Sequence, residues 1–392
     1  MFSSRVPHDL QPNALARAIA GARAAGRQLI DLTISNPTRA GVVYSRDLLQ
    51  PLCSTDALSY CPTPFGLPAA REAVAADYRR RGRHVTPDRI VLTASTSEAY
   101  SLLFKLLCAP AGDSVLVPAP SYPLFEHLTR LDGVTARTYQ LEYAGRWTVD
   151  LDSVDAAWES ATRAVLAVSP NNPTGSLLTA EEVEALSTRC AARGAALILD
   201  EVFADYPLTA PAEPDALELG MQGTGAALTF CLGGLSKSAG LPQLKLGWIA
   251  VDGPDALVRE ALERLELVCD TYLSVSTPVQ AGAPSLITSG EGVRVQILQR
   301  VRSNYALLRR AAASYPSVDV LHAEAGWSAV LRIPSRGTEE DLVLELLERD
   351  GIIVHPGFFF DFPHEAFLIV SLLPPPDLFA SGIRTLLERV DA

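Results

Sequence analysis

The stretch Arg163–Glu201 reads RAVLAVSPNNPTGSLLTAEEVEALSTRCAARGAALILDE. It opens on an apolar β-rich run, Arg163–Ser169, and breaks at Pro170-Asn-Asn-Pro-Thr-Gly. An amphipathic pattern follows from Thr179 to Cys190. Thr179 and Glu182 have the spacing of a capping box, which predicts a helix start there. A second apolar run, Ala195–Asp200, closes the unit. Strand, turn, helix and strand in that order predict a parallel sheet with helical crossovers.

Outward from this unit the same alternation continues. Candidate strands are Ile90–Ala94, Ser114–Pro118, Leu228–Leu232 and Leu246–Val251. Most are apolar almost throughout, as expected of strands covered on both faces. Beyond a long helix around Asp255–Ser274 the pattern changes. Strand-like runs lie near Val318–Leu321, Ser328–Ile333, Ile352–His355 and Phe367–Leu372, with a helix capped by Thr338 and another at the end. The expected fold class is α/β: a large domain with a mainly parallel sheet sandwiched by helices, plus a smaller α+β domain. The expected division is 42–275 for the large domain, and 1–41 with 276–392 for the small domain and its N-terminal segment. Residues 1–40 are too short to fold alone and are expected to pack on the small domain or a partner subunit.

A chain of 392 residues is too long for one ordinary core. With 48% apolar and 20% charged residues it is not a disordered chain. A net charge of -12 opposes nucleic acid as a partner. No apolar run is long enough to span a membrane, and MFSSRVPHDLQPN lacks the apolar core of a signal peptide. Six cysteines are scattered singly without a CxxC. That opposes a zinc site or a disulfide framework and fits a reducing, cytoplasmic setting. Nothing in the pattern calls for a metal.

Only three of the 33 basic residues are lysine: Lys105, Lys237 and Lys245. Arginine stays protonated and cannot form a Schiff base, whereas lysine can. Lys237 stands in Leu232-Gly-Gly-Leu-Ser-Lys-Ser-Ala-Gly, directly after a candidate strand. Open α/β sheets bind ligands at that edge. A solvated loop lysine is the plainer reading. Lys105 falls on an amphipathic helix and is expected to snorkel at its surface. Asp200 ends its apolar strand as either a helix cap or a site residue. Ser95, Thr96 and Ser97 join a strand to a helix start, as N-caps or as a phosphate cradle.

Taken in order, these elements are more specific than any one of them. Tyr60…Gly66, Ser95-Thr-Ser, Pro120-Ser-Tyr-Pro, Asn171-Asn-Pro-Thr-Gly, Asp200-Glu-Val, Ser236-Lys237 and Lys245-Leu-Gly-Trp follow one another. The array resembles the fold-type I, pyridoxal-phosphate (PLP) dependent aminotransferases, the aspartate aminotransferase superfamily of class I/II. It spans about Asp31 to the C-terminus.

The resemblance implies a role for each position. Lys237 would carry the cofactor as an internal aldimine and move the substrate proton. Asp200 would pair with the pyridine nitrogen and favour its protonated form. Asn172 would bond the ring hydroxyl oxygen and face the substrate, and Tyr122 would stack on the ring. Ser95, Thr96, Ser97, Ser236 and Lys245 would surround the phosphate. Tyr60 would reach the phosphate of a neighbouring subunit, which implies a homodimer with shared sites. Asn36 and Trp327 fall on the substrate side.

Three departures from the resemblance stand out. Phe203 occupies the place of a tyrosine that donates to the ring oxygen. Lys245, eight residues after Lys237, replaces a phosphate-binding arginine, and Gly234 replaces a serine. Most consequentially, Ile369 occupies the place of the carboxylate-binding arginine, or Leu368 under a one-residue shift. No arginine lies between Asp361 and Pro374. Arg39 and Arg332 are the candidate substitutes, and Phe358–Phe360 are candidate pocket walls.

The leading expectation is a PLP-dependent aminotransferase. It would move an amino group from an amino donor to a 2-oxo acid by a ping-pong mechanism. The alternatives are a PLP-dependent lyase, decarboxylase or synthase, and an aminotransferase for substrates without the usual α-carboxylate.

Overall fold

The computed structural model describes residues 2–209 and 225–391. Its centre is an eight-stranded sheet. In spatial order the strands are Ile90–Thr93, Gly247–Asp252, Thr229–Gly234, Ala196–Asp200, Thr162–Val168, Ser114–Ala119, Thr135–Tyr143 and Trp147–Val149. The five strands from Thr229–Gly234 to Thr135–Tyr143 run parallel. Gly247–Asp252 is antiparallel to both its neighbours, and Trp147–Val149 closes the far edge antiparallel. The central strands are buried along nearly their whole length. This is what apolar runs covered on both faces require.

The helix predicted from Thr179 is present as Ala180–Arg193. Thr179 accepts from the Glu182 N–H, and Glu182 reaches back to the Thr179 N–H. Gly194 ends it in the left-handed conformation. The strand Thr135–Tyr143 was not among those expected. Its side chains are mostly half-buried or exposed, so it lacks an apolar run.

A second, four-stranded antiparallel sheet orders Asp319–Val320, Ser328–Arg332, Phe367–Ser371 and His355–Pro356. Ile30–Asp31 pairs in parallel with Ile352–Ile353, and the helix Ala14–Ala24 packs against Glu339–Glu345. The N-terminal segment is thereby joined to this smaller layer. The helix Thr277–Ser289 packs against Pro68–Arg80. In packing it stands with the large sheet, although the sequence division at 275/276 places it with the small one. The next helix, Glu291–Ala312, links the two layers. Arg294 near its start donates to the Ser238 carbonyl, and Asn304 near its end donates to the Leu372 and Pro374 carbonyls.

Candidate active site

The loops that follow five strands meet at one edge of the large sheet. Ser95, Tyr122, Asn172 and Lys237 lie in the segments after four of these strands, and Asp200 is the last residue of the fifth. This edge is where a parallel sheet places ligands. Gly247, paired with both Thr93 and Gly234, keeps the edge tight. A Cβ there would lie 3.0 Å from the Ser95 carbonyl carbon and 3.2 Å from the Gly233 oxygen. The Ser95 loop and the Lys237 strand come together because position 247 has no side chain.

Asp200 is buried at the end of its strand. One carboxylate oxygen accepts from the Tyr100 hydroxyl at 2.9 Å, the other from the Val202 N–H at 3.1 Å. Burial pushes its pKa up to about 6, against the pull of those two donors and of Lys237. The neighbouring Glu201 pushes it the same way as burial. Glu201 is itself buried and bonded to Arg83, Nη1 to Oε2, at 2.6 Å. Arg83 therefore neutralises a second carboxylate one residue from Asp200.

Lys237 lies in the one-turn helix Leu235–Ser238 that follows its strand. Burial lowers its pKa to about 8, while Asp200 opposes the shift. Its Nζ sits 4.8 Å from the Trp327 ring centroid and 5.3 Å from that of Phe203. The Phe203 and Trp327 rings meet edge to face, and Tyr206 also packs against Trp327, with ring centroids 5.0 Å apart. The Tyr206 hydroxyl donates to the Lys237 carbonyl. It does not take over the donor that Phe203 lacks, because its hydrogen bond is spent on the backbone.

Trp327 reaches this position through the Asn-Asn-Pro-Thr-Gly loop. The Gly175 carbonyl accepts from the N–H groups of Glu324 and Ala325, both at 2.9 Å. Gly175 has φ of +68°, and a Cβ there would stand 2.6 Å from the Ala325 oxygen. Glycine is thus required on both counts. In the same loop Asn171 is structural, bonding Pro120, Thr174 and Ser121. Asn172 Oδ1 accepts from Ser328 at 3.2 Å.

Ser95 caps the helix Thr96–Leu107 by accepting from the Glu98 N–H. Thr96 and Ser97 open the helix with half-exposed side chains. Ser236 precedes Lys237 in the same one-turn helix. Lys245 is exposed at a left-handed position, φ +53°. Tyr122 is 48% exposed and Tyr60 76% exposed. Tyr60 lines a cleft with Cys61, Leu102, Cys269 and Gln280. Asn36 is an exposed cap whose Oδ1 accepts from Thr38. Ile369 is buried within the small sheet, between Val330 and His355.

Of the two candidate arginines, Arg332 is an exposed partner of Asp319 at 2.7 Å, and Arg39 is exposed. Lys105 lies on the helix surface and is bonded to Asp132 and Ser101. Tyr100, Tyr206, Ser328 and the Arg83–Glu201 pair are site residues that sequence reasoning did not single out. A buried tyrosine on a helix's apolar face reads as core until its hydroxyl partner is known.

A family model described as aminotransferase class I and II matches residues 28–377. The chain belongs to this family. Glutamate-pyruvate aminotransferase AlaA of Escherichia coli is 25% identical over 90% of this chain and 88% of its own length. Alanine aminotransferase of Mycobacterium bovis is 25% identical over 93% and 86%. Nicotianamine aminotransferase B of Hordeum vulgare is 29% identical over 64% of this chain, which spans only 45% of that protein. Among solved structures, an Escherichia coli aminotransferase superposes with TM-score 0.83 at 23% identity, covering 99% of this chain and 98% of that one. Alanine aminotransferase from Pyrococcus furiosus gives TM-score 0.83 at 21% identity, covering 95% and 96%. These two likenesses carry the fold. Family membership and the relatives' names support an enzyme of the transaminase type. Among the described residues no helix is long and apolar enough to cross a membrane.

Aminotransferases of class I and II use PLP. The donor set at this sheet edge fits that group. Lys237 is an amine made easier to deprotonate, Asp200 a buried acid, and Thr96–Leu107 a helix start for an anion.

Proposed function

We propose that the chain is a PLP-dependent aminotransferase working on an amino-acid donor and a 2-oxo acid acceptor. The observation that carries this reading is that Asp200, buried at its strand end, and Lys237, set against the Phe203 and Trp327 rings, stand at one sheet edge within reach of each other's field. PLP, when bound, supplies an electron sink for the pair of electrons left at the substrate's Cα.

The residues divide the remaining work. Lys237, more easily deprotonated than an ordinary lysine, is nucleophilic enough to hold the cofactor's aldehyde carbon. The same amine, when free, would be the base that takes the proton from the substrate's Cα. Tyr100 and Val202 hold the Asp200 carboxylate in place, where it would favour a positive charge on the cofactor's pyridine nitrogen. Arg83 keeps Glu201 from competing for that charge. Ser328 holds the Asn172 Oδ1, which would leave its Nδ2 to donate to the oxygen of a bound ring. Phe203 and Trp327 exclude water from the lysine. Tyr122 would cover a face of the bound ring, and Ser95, Thr96, Ser97, Ser236 and Lys245 would hold its phosphate.

The assembly proposed is a cytoplasmic homodimer in which the exposed Tyr60 reaches the partner's cofactor. The site proposed lies between a large PLP-binding domain, to which the helix Thr277–Ser289 is added by its packing on Pro68–Arg80, and a small domain built from the N-terminal segment and the rest of the C-terminal part. A lyase, decarboxylase or synthase on the same fold is not favoured by the relatives' names.

The test is a donor panel on the PLP-loaded protein. Alanine, glutamate, aspartate and aromatic amino acids are added in turn, and the cofactor absorbance and 2-oxo acid release are followed. One oxo acid released per site, with stable conversion of the cofactor to its amine form, supports the reading. Release of carbon dioxide, or product formation without that conversion, contradicts it.

A further inference from the structure

The small sheet turns one face toward the site. Residues paired across antiparallel strands lie opposite each other with side chains on the same face. Ser328 pairs with Ser371, Val330 with Ile369, and Ile369 also with His355. Successive side chains alternate, so Ser328, Val330, Ile369, Ser371 and His355 share one face. Ser328 fixes the direction of that face, since its hydroxyl reaches Asn172. Ser371 donates to the Ile34 carbonyl, in the segment leading to Asn36. The face therefore lies between the Asn172 loop and the N-terminal segment.

On this face positions 330 and 369 are buried aliphatics. The polar group left over is His355. Its Nδ1 is buried and has no hydrogen-bond partner among the described residues. The rings of Phe359 and Phe360 flank it at 5.9 and 5.8 Å. Asp31 is the acid whose field reaches it. The following turn is held firmly. Glu339, itself buried, accepts from the Phe358 N–H at 2.9 Å and the Phe367 N–H at 2.7 Å. The Phe360 carbonyl accepts from the Ser121 N–H at 2.9 Å, beside Tyr122. These bonds tie the His355 turn to the rim of the large sheet.

We propose that His355 is a specificity-determining residue that hydrogen-bonds the carboxylate of the amino and oxo acid substrates. This inference rests on the transaminase reading above. The arginines nearby are committed or exposed. Arg332 pairs with Asp319, and Arg300 donates to the Ala40 and Leu373 carbonyls. An imidazole offers one N–H to a carboxylate where a guanidinium offers two in a fork. Discrimination between an acid and its uncharged ester should therefore be present but modest.

The test uses the PLP-loaded enzyme, wild type and with His355→Ala or His355→Gln. Alanine is the donor, and pyruvate and methyl pyruvate are competitive inhibitors of the PLP form. The expected result for His355→Ala is about a tenfold rise in the alanine KM and the pyruvate inhibition constant. The kcat should change less than threefold and methyl pyruvate inhibition should be unchanged. His355→Gln, which keeps an N–H donor, should recover part of the loss. In wild type, pyruvate should also shift the His355 imidazole nitrogen resonances. Equal losses for pyruvate and its ester, or no change in either, would overturn the role of His355 while leaving transamination standing. Failure of the wild type to react with any amino acid would instead remove the reading beneath it.

Discussion

The Tyr100 hydroxyl donates to Asp200 Oδ2 across 2.9 Å, inside the sheet–helix layer and away from solvent. Burial raises the Asp200 pKa, with Glu201 adding to the rise, and this hydrogen bond is one of the contacts that pull it back. A hydrogen bond to a charged group contributes about 1.5–3 kcal/mol. Tyr100→Phe should raise the Asp200 pKa further and leave less carboxylate at neutral pH. We expect kcat to fall about tenfold or more, with the acid limb of the kcat–pH profile moved to higher pH. An unshifted acid limb would show that the hydroxyl does not govern Asp200.

Phe203 stands within 5.3 Å of the Lys237 amine and offers no hydroxyl. In Phe203→Tyr a new donor toward the ring oxygen would draw that oxygen's electrons from the Lys237–cofactor linkage. The pH midpoint of the cofactor absorbance should therefore be lower in Phe203→Tyr than in the wild type. A spectroscopic titration giving the opposite order would remove this account of Phe203.

Arg83 and Glu201 form a buried pair, with side chains 3% and 6% exposed. Truncating one partner of such a pair leaves the other charge unmatched, at a cost of about 3–5 kcal/mol. Arg83→Met should lower the unfolding free energy obtained from a urea titration by about that amount. Arg83→Met combined with Glu201→Met should recover most of it, because no charge is then stranded. A double variant no more stable than the single one would mean that packing, rather than charge, explains the loss.

Lys237 has a folded-state pKa lowered from 10.5 to about 8. Above 10.5 both states are neutral and the residue has no effect on pH dependence. As pH falls from 10.5 to about 8 the unfolded chain gains the proton first, so folding is progressively disfavoured. Below 8 the penalty is constant. In the cofactor-free protein Lys237→Met should therefore be the more stable form at pH 7. Its advantage should shrink as pH rises from 8 toward 10.5. Thermal melts at several pH values check this, and an advantage that grows with pH would contradict it.

Much of this arrangement could be read from residue patterns. The buried parallel strands appear within one or two residues of their apolar runs, and the capping box at Thr179 marks its helix start. Thr135–Tyr143 escaped notice because its half-exposed side chains give no apolar signature. The order of strands was not legible, since it depends on which crossovers pack. Motif order brought Asp200 and Lys237 forward. It did not bring Tyr100, whose role depends on the direction of one hydroxyl. Arg332 stood as a candidate carboxylate partner because its own partner, Asp319, lies across a strand register that the pattern does not fix. His355 became visible only once that sheet's register put it opposite Ile369.

The most direct test of the central claim uses the scarcity of lysine. PLP is added to the purified protein, the linkage is reduced with borohydride, and the labelled peptide is located by mass. With lysines only at 105, 237 and 245, the three outcomes are readily separated. The account predicts one label per chain, on Lys237, and none in Lys237→Ala. Label on Lys105 or Lys245, or unchanged labelling in Lys237→Ala, would contradict it.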